Sequence, residues 1–363
     1  KTEVGHTVDK RIDYRVAPGG VLKGRLRVAG DKSISHRSVM LGALAEGVTH
    51  VTGLLEGEDV LSTLAAFRAM GVQAKGPDHG RLTIQGVGLH GLCPPAQPLD
   101  MGNSGTAMRL MAGILAGQKF DSVLIGDESL SKRPMKRVSE PLGRMGAHIE
   151  TAAGGRPPLK IRGRQALHGI HYTMPMASAQ VKSALLLAGL YADGETAVTE
   201  PAPTRDHTER MLRGFGYEVK TEGARISLRG GGKLKGCDID VPADISSATF
   251  FLVGASIAAG SDLVLEHVGI NPTRIGVLNI LKLMDADLEL LNTREVGGEP
   301  VADIRVRAAR LCGIRIPEDQ VPLAIDEFPA LFIAAACAAG ETVLTGAHEL
   351  RVKESDRIVV MAQ

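Results

Sequence analysis

Five long apolar, alanine-rich runs divide the chain, and each stops at a glycine: Ala45-Glu46-Gly47, Ala116-Gly117, Ala192-Asp193-Gly194, Ala259-Gly260 and Ala339-Gly340. The glycines fall 70, 77, 66 and 80 residues apart, a degenerate internal repeat. Behind each comes a short β-branched stretch that predicts a strand: Thr49 to Thr52, Ser122 to Ile125, Thr196 to Thr199, Leu263 to Glu266 and Thr342 to Thr345. A second, amphipathic helix follows over Glu58 to Met70, Pro134 to Met145, Asp206 to Phe215 and Arg274 to Met284, with the start of another at Glu354. Gly71, Gly146 and Gly216 stand where a left-handed C-terminal cap closes the first three. With further β-like pieces at Arg81 to Ile84 and Arg225 to Leu228, the unit reads β-α-β-α-β-β. Its first helix is apolar nearly all round and belongs inside; its second carries charge on one face and belongs outside. The fifth unit breaks off inside its second helix at Met361-Ala362-Gln363, so the pattern predicts a chain truncated at its C-terminus.

Inner helices running in parallel bring several positively polarised N-termini to one place, which makes their first turns the candidate chemistry. The first is Asp31-Lys32-Ser33-Ile34-Ser35-His36-Arg37, with Lys32 and Arg37 one turn apart and set to face an anion. The second, Gly102-Asn103-Ser104-Gly105-Thr106-Ala107-Met108-Arg109, has glycines that let backbone N–H groups approach a phosphate. Met176-Ala177-Ser178-Ala179-Gln180-Val181-Lys182-Ser183 offers a hydroxyl, an amide and a cation. Asp244-Ile245-Ser246-Ser247 reads as a structural N-cap, while Asp326-Glu327 serves equally as a cap or as a site carboxylate.

Two loops add charge. Ser131-Lys132-Arg133-Pro134 puts a guanidinium just before a helix that Pro134 opens. In Arg351-Val352-Lys353-Glu354-Ser355-Asp356-Arg357, Lys353 and Arg357 lie four apart on one helical face around Glu354. That is the pattern of an exposed ion-pair ladder and equally of a proton-transfer group held beside a polyanion.

Composition narrows the classes. A chain of 363 residues exceeds one ordinary core, and an apolar fraction of 44% fills two domains. Aromatics at 3%, no Trp and 44 glycines require close helix packing and leave no aromatic platform for stacked bases. A net charge of +1 provides no field for nucleic acid or membrane, so any anion site is a local cluster for small substrates. Cys93, Cys237, Cys312 and Cys337 are too scattered for a metal knuckle or a disulfide framework and fit free thiols in a reducing cytoplasm. No stretch approaches the about 18 apolar residues of a membrane span. Residues 1–20 read as a linker or the remnant of a longer, fused polypeptide.

Six segments, taken in order, resemble the 5-enolpyruvylshikimate-3-phosphate synthase family from about Val21 to the last residue. They are Asp31 to Arg37, Gly102 to Arg109, Lys132-Arg133-Pro134-Met135, Ala177 to Gln180, Asp326-Glu327 and Arg351 to Arg357. The resemblance implies an inside-out α/β barrel of the enolpyruvyl transferase type, built as two similar domains of the repeated unit with the site between them. One domain is 31–243; the other is discontinuous, 21–30 plus 244–363, and incomplete.

The implied reaction moves the carboxyvinyl group of phosphoenolpyruvate to the 5-hydroxyl of shikimate 3-phosphate and releases phosphate, with no metal or cofactor. By resemblance, Lys32, Ser33, Arg37, Ser178, Gln180, Asp326 and Lys353 hold shikimate 3-phosphate. Lys32, Gly105, Arg133, Gln180 and Arg357 face phosphoenolpyruvate, with Asn103 in the same turn. Asp326 accepts the hydroxyl proton, Glu354 moves a proton at the methylene carbon, and Lys32 joins them in catalysis. Ala179 stands where some members have Ser, and Arg205, in Thr204-Arg205-Asp206-His207, resembles the subgroup with an Arg at the shikimate phosphate.

Gly105 leaves room where a side chain would crowd phosphoenolpyruvate or the inhibitor glyphosate. The resemblance further implies a cytoplasmic monomer, or part of a fused polypeptide, that makes no contact with nucleic acid or membrane. The family's later cleft residues fall beyond Gln363, which predicts weak binding and little turnover by this chain alone. A non-catalytic shikimate-3-phosphate-binding fragment is one alternative. A UDP-N-acetylglucosamine enolpyruvyl transferase is the other, disfavoured because Ser129 to Arg133 contains no Cys.

Overall fold

The computed structural model describes residues 13–353 and 355–363. After β1 (Lys23–Leu26) the first unit runs α1 (Lys32–Leu44), β2 (Glu46–Thr52), α2 (Glu58–Ala69), β3 (Gln73–Asp78) and β4 (Arg81–Val87). The second is β5 (Leu99–Asp100), α3 (Gly105–Ala116), β6 (Ser122–Ile125), a single turn α4 (Glu128–Ser131), α5 (Lys136–Arg144), β7 (His148–Ala152) and β8 (Arg156–Arg162). The third is β9 (His171–Thr173), α6 (Ala179–Gly189), β10 (Glu195–Thr199), α7 (His207–Gly214), β11 (Lys220–Glu222) and β12 (Arg225–Arg229). The fourth is β13 (Asp238–Asp240), α8 (Ile245–Ile257), β14 (Asp262–Gly269), α9 (Gly276–Leu283), β15 (Asp287–Val296) and β16 (Glu299–Arg307). Then come α10 (Phe328–Ala336) and α11 (Arg357–Ala362).

Among the described residues the strands form four mixed sheets of four, ordered β13-β2-β4-β3, β5-β6-β8-β7, β9-β10-β12-β11 and β1-β14-β16-β15. In each, one parallel pair is followed by antiparallel partners. The inner helices lie within: α1 is buried from Ile34 to Leu44, and α3 and α6 are covered over most of their length. This is the inside-out α/β fold, with sheets around helices. Its apolar interior falls into two clusters, Ile34 to Val241 and Ala243 to Leu350, called here the first and second lobes.

Small residues make the inner packing possible. A Cβ at Gly113 of α3 would run into the Ala184 carbonyl of α6, so glycine sets how closely those helices approach. Gly71, Gly146 and Gly216 take φ of 89°, 101° and 82°, the left-handed caps the pattern requires. After α9 the same role falls to Asp285, at φ 65°.

Three expected elements differ. Thr342 to Thr345 is not a strand: its pairing with the segment Ile314 to Ile316 is a single isolated bridge at Val343, and no ladder extends from it. Pro134 does not open a helix: α5 starts at Lys136, because Met135 is its N-cap at φ −109° and ψ 8°, outside the helical region, with its amide donating to the Gly155 carbonyl. Lys353 and Arg357 do not share a helical face. A 3₁₀ turn covers His348–Val352 and α11 begins only at Arg357, capped by Asp356, which accepts from the Val359 amide. Residues 13–20 form no helix or strand, and residues 1–12 of the expected linker lie outside the described residues.

Candidate active site

The site is assembled from helix N-termini. Asp31 caps α1, accepting from the Ile34 amide at 2.9 Å; Ser104 caps α3 and Ser178 caps α6 in the same way, at 3.0 and 3.3 Å. Each cap satisfies one orphan donor and leaves neighbouring N–H groups directed outward from the helix end.

Where α3 and α6 start side by side, the side chains interlock. Arg109 donates to Gln180 Oε1, and Gln180 donates to Thr106 Oγ1 at 2.8 Å. Arg133 donates to Asn103 Oδ1 at 3.1 Å, and the Asn103 amide donates to both oxygens of Asp127. Gly105 lies beneath the two guanidinium groups: a Cβ there would stand 2.9 Å from Arg109 Nη1 and 3.3 Å from Arg133 Nη1. Burial, then the like charges of Arg133 and Arg137, draw Arg109 below its ordinary pKa. Clustered cations of this kind are stabilised by a bound anion.

The second group joins the lobes. Asp326, just ahead of α10, accepts from Arg205 Nη2 at 2.7 Å and lies 3.4 Å from Arg357 Nη1. It is therefore not the cap of α10; that position belongs to Glu327, which makes no side-chain cap bond. Burial pushes the Asp326 carboxyl up, but Arg205, with help from Lys353 and Arg274, outweighs it and holds the carboxyl below its ordinary range. Lys353 also pairs with Glu349 at 3.1 Å. Burial and the neighbouring Asp326 raise Glu327, whose Oε1 accepts from Ser246 at 2.7 Å.

The first segment divides. Lys32 is half exposed and pairs with Asp59 on α2, and Ser33 is half-buried beside it. Arg37 is buried, against the expectation that it faces an open anion site: it donates to Thr208 at 2.7 Å, Ser183 at 3.2 Å and the Ser33 carbonyl at 3.0 Å. Burial lowers it to about 10, so it stays charged at neutral pH. His36 is a neutral core residue, lowered to about 4 by burial and then by Arg37 and Lys32. Lys182, expected as a cleft cation, is enclosed between Glu200 and Glu209 at 2.8 and 3.0 Å. Ala179 opens α6 between Ser178 and Gln180, and Glu354 lies outside the described residues.

The chain matches EPSP synthase (3-phosphoshikimate 1-carboxyvinyltransferase) over residues 16–363. The chain belongs to the EPSP synthase family. It is 70% identical to the 3-phosphoshikimate 1-carboxyvinyltransferase of Alkalilimnicola ehrlichii over 352 residues, 97% of this chain and 79% of that protein. The protein of the same name from Methylococcus capsulatus is 68% identical, covering 98% of this chain and 81% of the relative. The solved structure of EPSP synthase from Acinetobacter baumannii superposes with a TM-score of 0.92 at 67% identity, over 95% of this chain and 78% of that one. Arg109 and Asp127, the latter holding the Asn103 amide, are charged residues of this EPSP synthase-family site that the sequence motifs do not single out, as is Arg137, whose charge acts on Arg109. Arg109 was legible, since it stands four residues after Gly105 and so on the same helical face.

Proposed function

We propose that this chain transfers the carboxyvinyl group of phosphoenolpyruvate to the 5-hydroxyl of shikimate 3-phosphate and releases phosphate. The observation that carries the reading is Asp326, a carboxylate held between cations of both lobes, together with the guanidinium groups of Arg109 and Arg133 gathered over Gly105 on the first lobe, which have no carboxylate salt-bridge partner among the described residues.

Two anions that repel each other must meet, and fixed cations offset the repulsion without reorganising during the reaction. Arg109, Arg133 and the backbone at Gly105 hold phosphoenolpyruvate, with Gln180, Asn103, Lys32 and Arg357 around it. Ser178, Ala179, Ser33, Lys353 and Arg205 receive shikimate 3-phosphate, and Arg37 supports that wall from behind through Ser183. Asp326 takes the proton as the 5-hydroxyl oxygen bonds to the central carbon of phosphoenolpyruvate, and Glu354 delivers one to the methylene carbon. Loss of a proton from that methyl and cleavage of the carbon–oxygen bond to phosphate restore the vinyl group. Glyphosate, also an anion, competes at Gly105, and the chain acts as a cytoplasmic monomer. The domains of this reading are 31–243 and 21–30 plus 244–363, supported by the pairing of β1 with β14 and by the two separate cores.

Phosphorus NMR of the 363-residue chain with both substrates tests it. Release of phosphate that needs both substrates and is lost in Asp326→Asn supports the reading. Binding of shikimate 3-phosphate with no release under any condition favours the non-catalytic alternative.

A further inference from the structure

The two passages between the lobes run side by side. The Asp31 amide donates to the Pro242 carbonyl at 2.8 Å, the Asp244 amide to the Ala29 carbonyl at 2.9 Å, and Gly30 bridges Ala243. Beside them lies the turn Asn271 to Arg274, between β14 and α9 of the second lobe. Arg274, only 6% exposed, forks between the caps of two helices: Nη1 donates to Asp31 Oδ2 at 2.8 Å, and Nη2 to Asp244 Oδ1 at 3.0 Å and to Ser246 Oγ at 2.9 Å. Ser246 passes the contact on to Glu327, at the start of α10. Asn271, from the same turn, donates to Asp206 Oδ1 at 2.7 Å, next in sequence to Arg205.

We propose that Arg274 is a positioning residue: its fork fixes the N-terminus of α1, with Lys32 and Ser33, against Asp326 on the other lobe. The roles of those three residues rest on the function proposed above; the coupling of the lobes does not. The Asp31 bond crosses from one lobe to the other, whereas the Asp244 bond stays within the second. A lysine retains the charge but has one nitrogen and cannot span both caps. Among the described residues, the charged groups around Asp326 are Arg205 from the segment before α7, Arg357 and Lys353 from the C-terminal segment, Glu327 beside it and Arg274 itself.

The test compares Arg274→Lys, Asp31→Asn and Asp244→Asn in the full chain, alone and paired, by small-angle scattering without ligand and by calorimetry with shikimate 3-phosphate. Asparagine caps a helix as well as aspartate does, so both Asn variants keep their helices and Asp31→Asn serves if Arg274→Lys folds poorly. Expected are a larger radius of gyration for Arg274→Lys and Asp31→Asn but not Asp244→Asn, and binding weakened about tenfold by either of the first two, with no further loss in their double variant. Unchanged scattering in Asp31→Asn, or equal effects of Asp31→Asn and Asp244→Asn, overturns the proposal. A wild-type chain that does not bind the probe overturns the functional reading instead, and the scattering comparison still decides the role of Arg274.

Discussion

Arg205 and Asp326 come from different lobes and meet at 2.7 Å, so the carboxylate on the second lobe carries a charge whose partner is on the first. This bond links the ionisation of Asp326 to the relative position of the lobes. Arg205→Met removes the strongest influence that lowers the Asp326 carboxyl. The sign follows: the native carboxyl lies below its unfolded-state value, so its ionised form is favoured above the ordinary carboxylate range and is lost as pH falls through the native value. Without Arg205 the carboxyl rises, and the acid limb of kcat moves to higher pH. A pH–rate profile with an unmoved acid limb contradicts this.

Asp326→Asn keeps shape but cannot accept a proton, and it removes the carboxylate that pairs with Arg205 at 2.7 Å. We expect kcat to fall by about 10²- to 10⁴-fold, with calorimetry still detecting shikimate 3-phosphate. Wild-type turnover in Asp326→Asn would remove Asp326 from the chemistry.

Gly105→Ala places a methyl group 2.9 Å from Arg109 Nη1 and 3.3 Å from Arg133 Nη1, so both guanidinium groups must give way. The KM for phosphoenolpyruvate rises and inhibition by glyphosate weakens, read as an increased inhibition constant. An unchanged constant counts against the placement of the donor.

Lys182 separates two buried carboxylates, and Lys182→Met leaves them uncompensated. The loss is about 3–5 kcal/mol of stability, the usual cost of breaking a buried ion pair from one side. Burial already raises Glu209, so protonation relieves the variant. Its deficit shrinks as pH falls and grows as pH rises through the carboxylate range, a trend that urea titrations at acidic and neutral pH check.

Gly113→Ala puts a methyl group onto the Ala184 carbonyl, backbone that cannot rotate away, and spreads α3 from α6. Overpacking of this kind costs about 1–3 kcal/mol. Because Arg109 and Gln180 bridge the same two helices, the variant also loses activity at temperatures where it remains folded. A stable, fully active Gly113→Ala protein contradicts the close-packing account.

The repeat was legible because burial imposes it: an apolar helix, a glycine stop and a β-branched strand recur wherever a unit closes. Asp326 and Arg205 were also in view, Asp326 as a carboxylate at a helix start and Arg205 through resemblance. Lys182 misled because its position after Ser178 matched a helix start, although the apolar neighbours Val181 and Ala184 to Leu187 pointed to burial. Arg274 could not be recognised from local pattern, since its bond to Asp31 spans 243 positions of sequence. Local spacing reports what a helix face needs; a side chain that serves both lobes appears only when the chain has closed on itself.

A crystal structure of the chain with shikimate 3-phosphate and glyphosate is the most direct measurement. The account predicts both anions where the lobes meet, one against Arg109, Arg133 and Gly105, the other beside Arg205, with its 5-hydroxyl on Asp326. Ligands bound on the outer sheets, or a 5-hydroxyl turned away from Asp326, would contradict it.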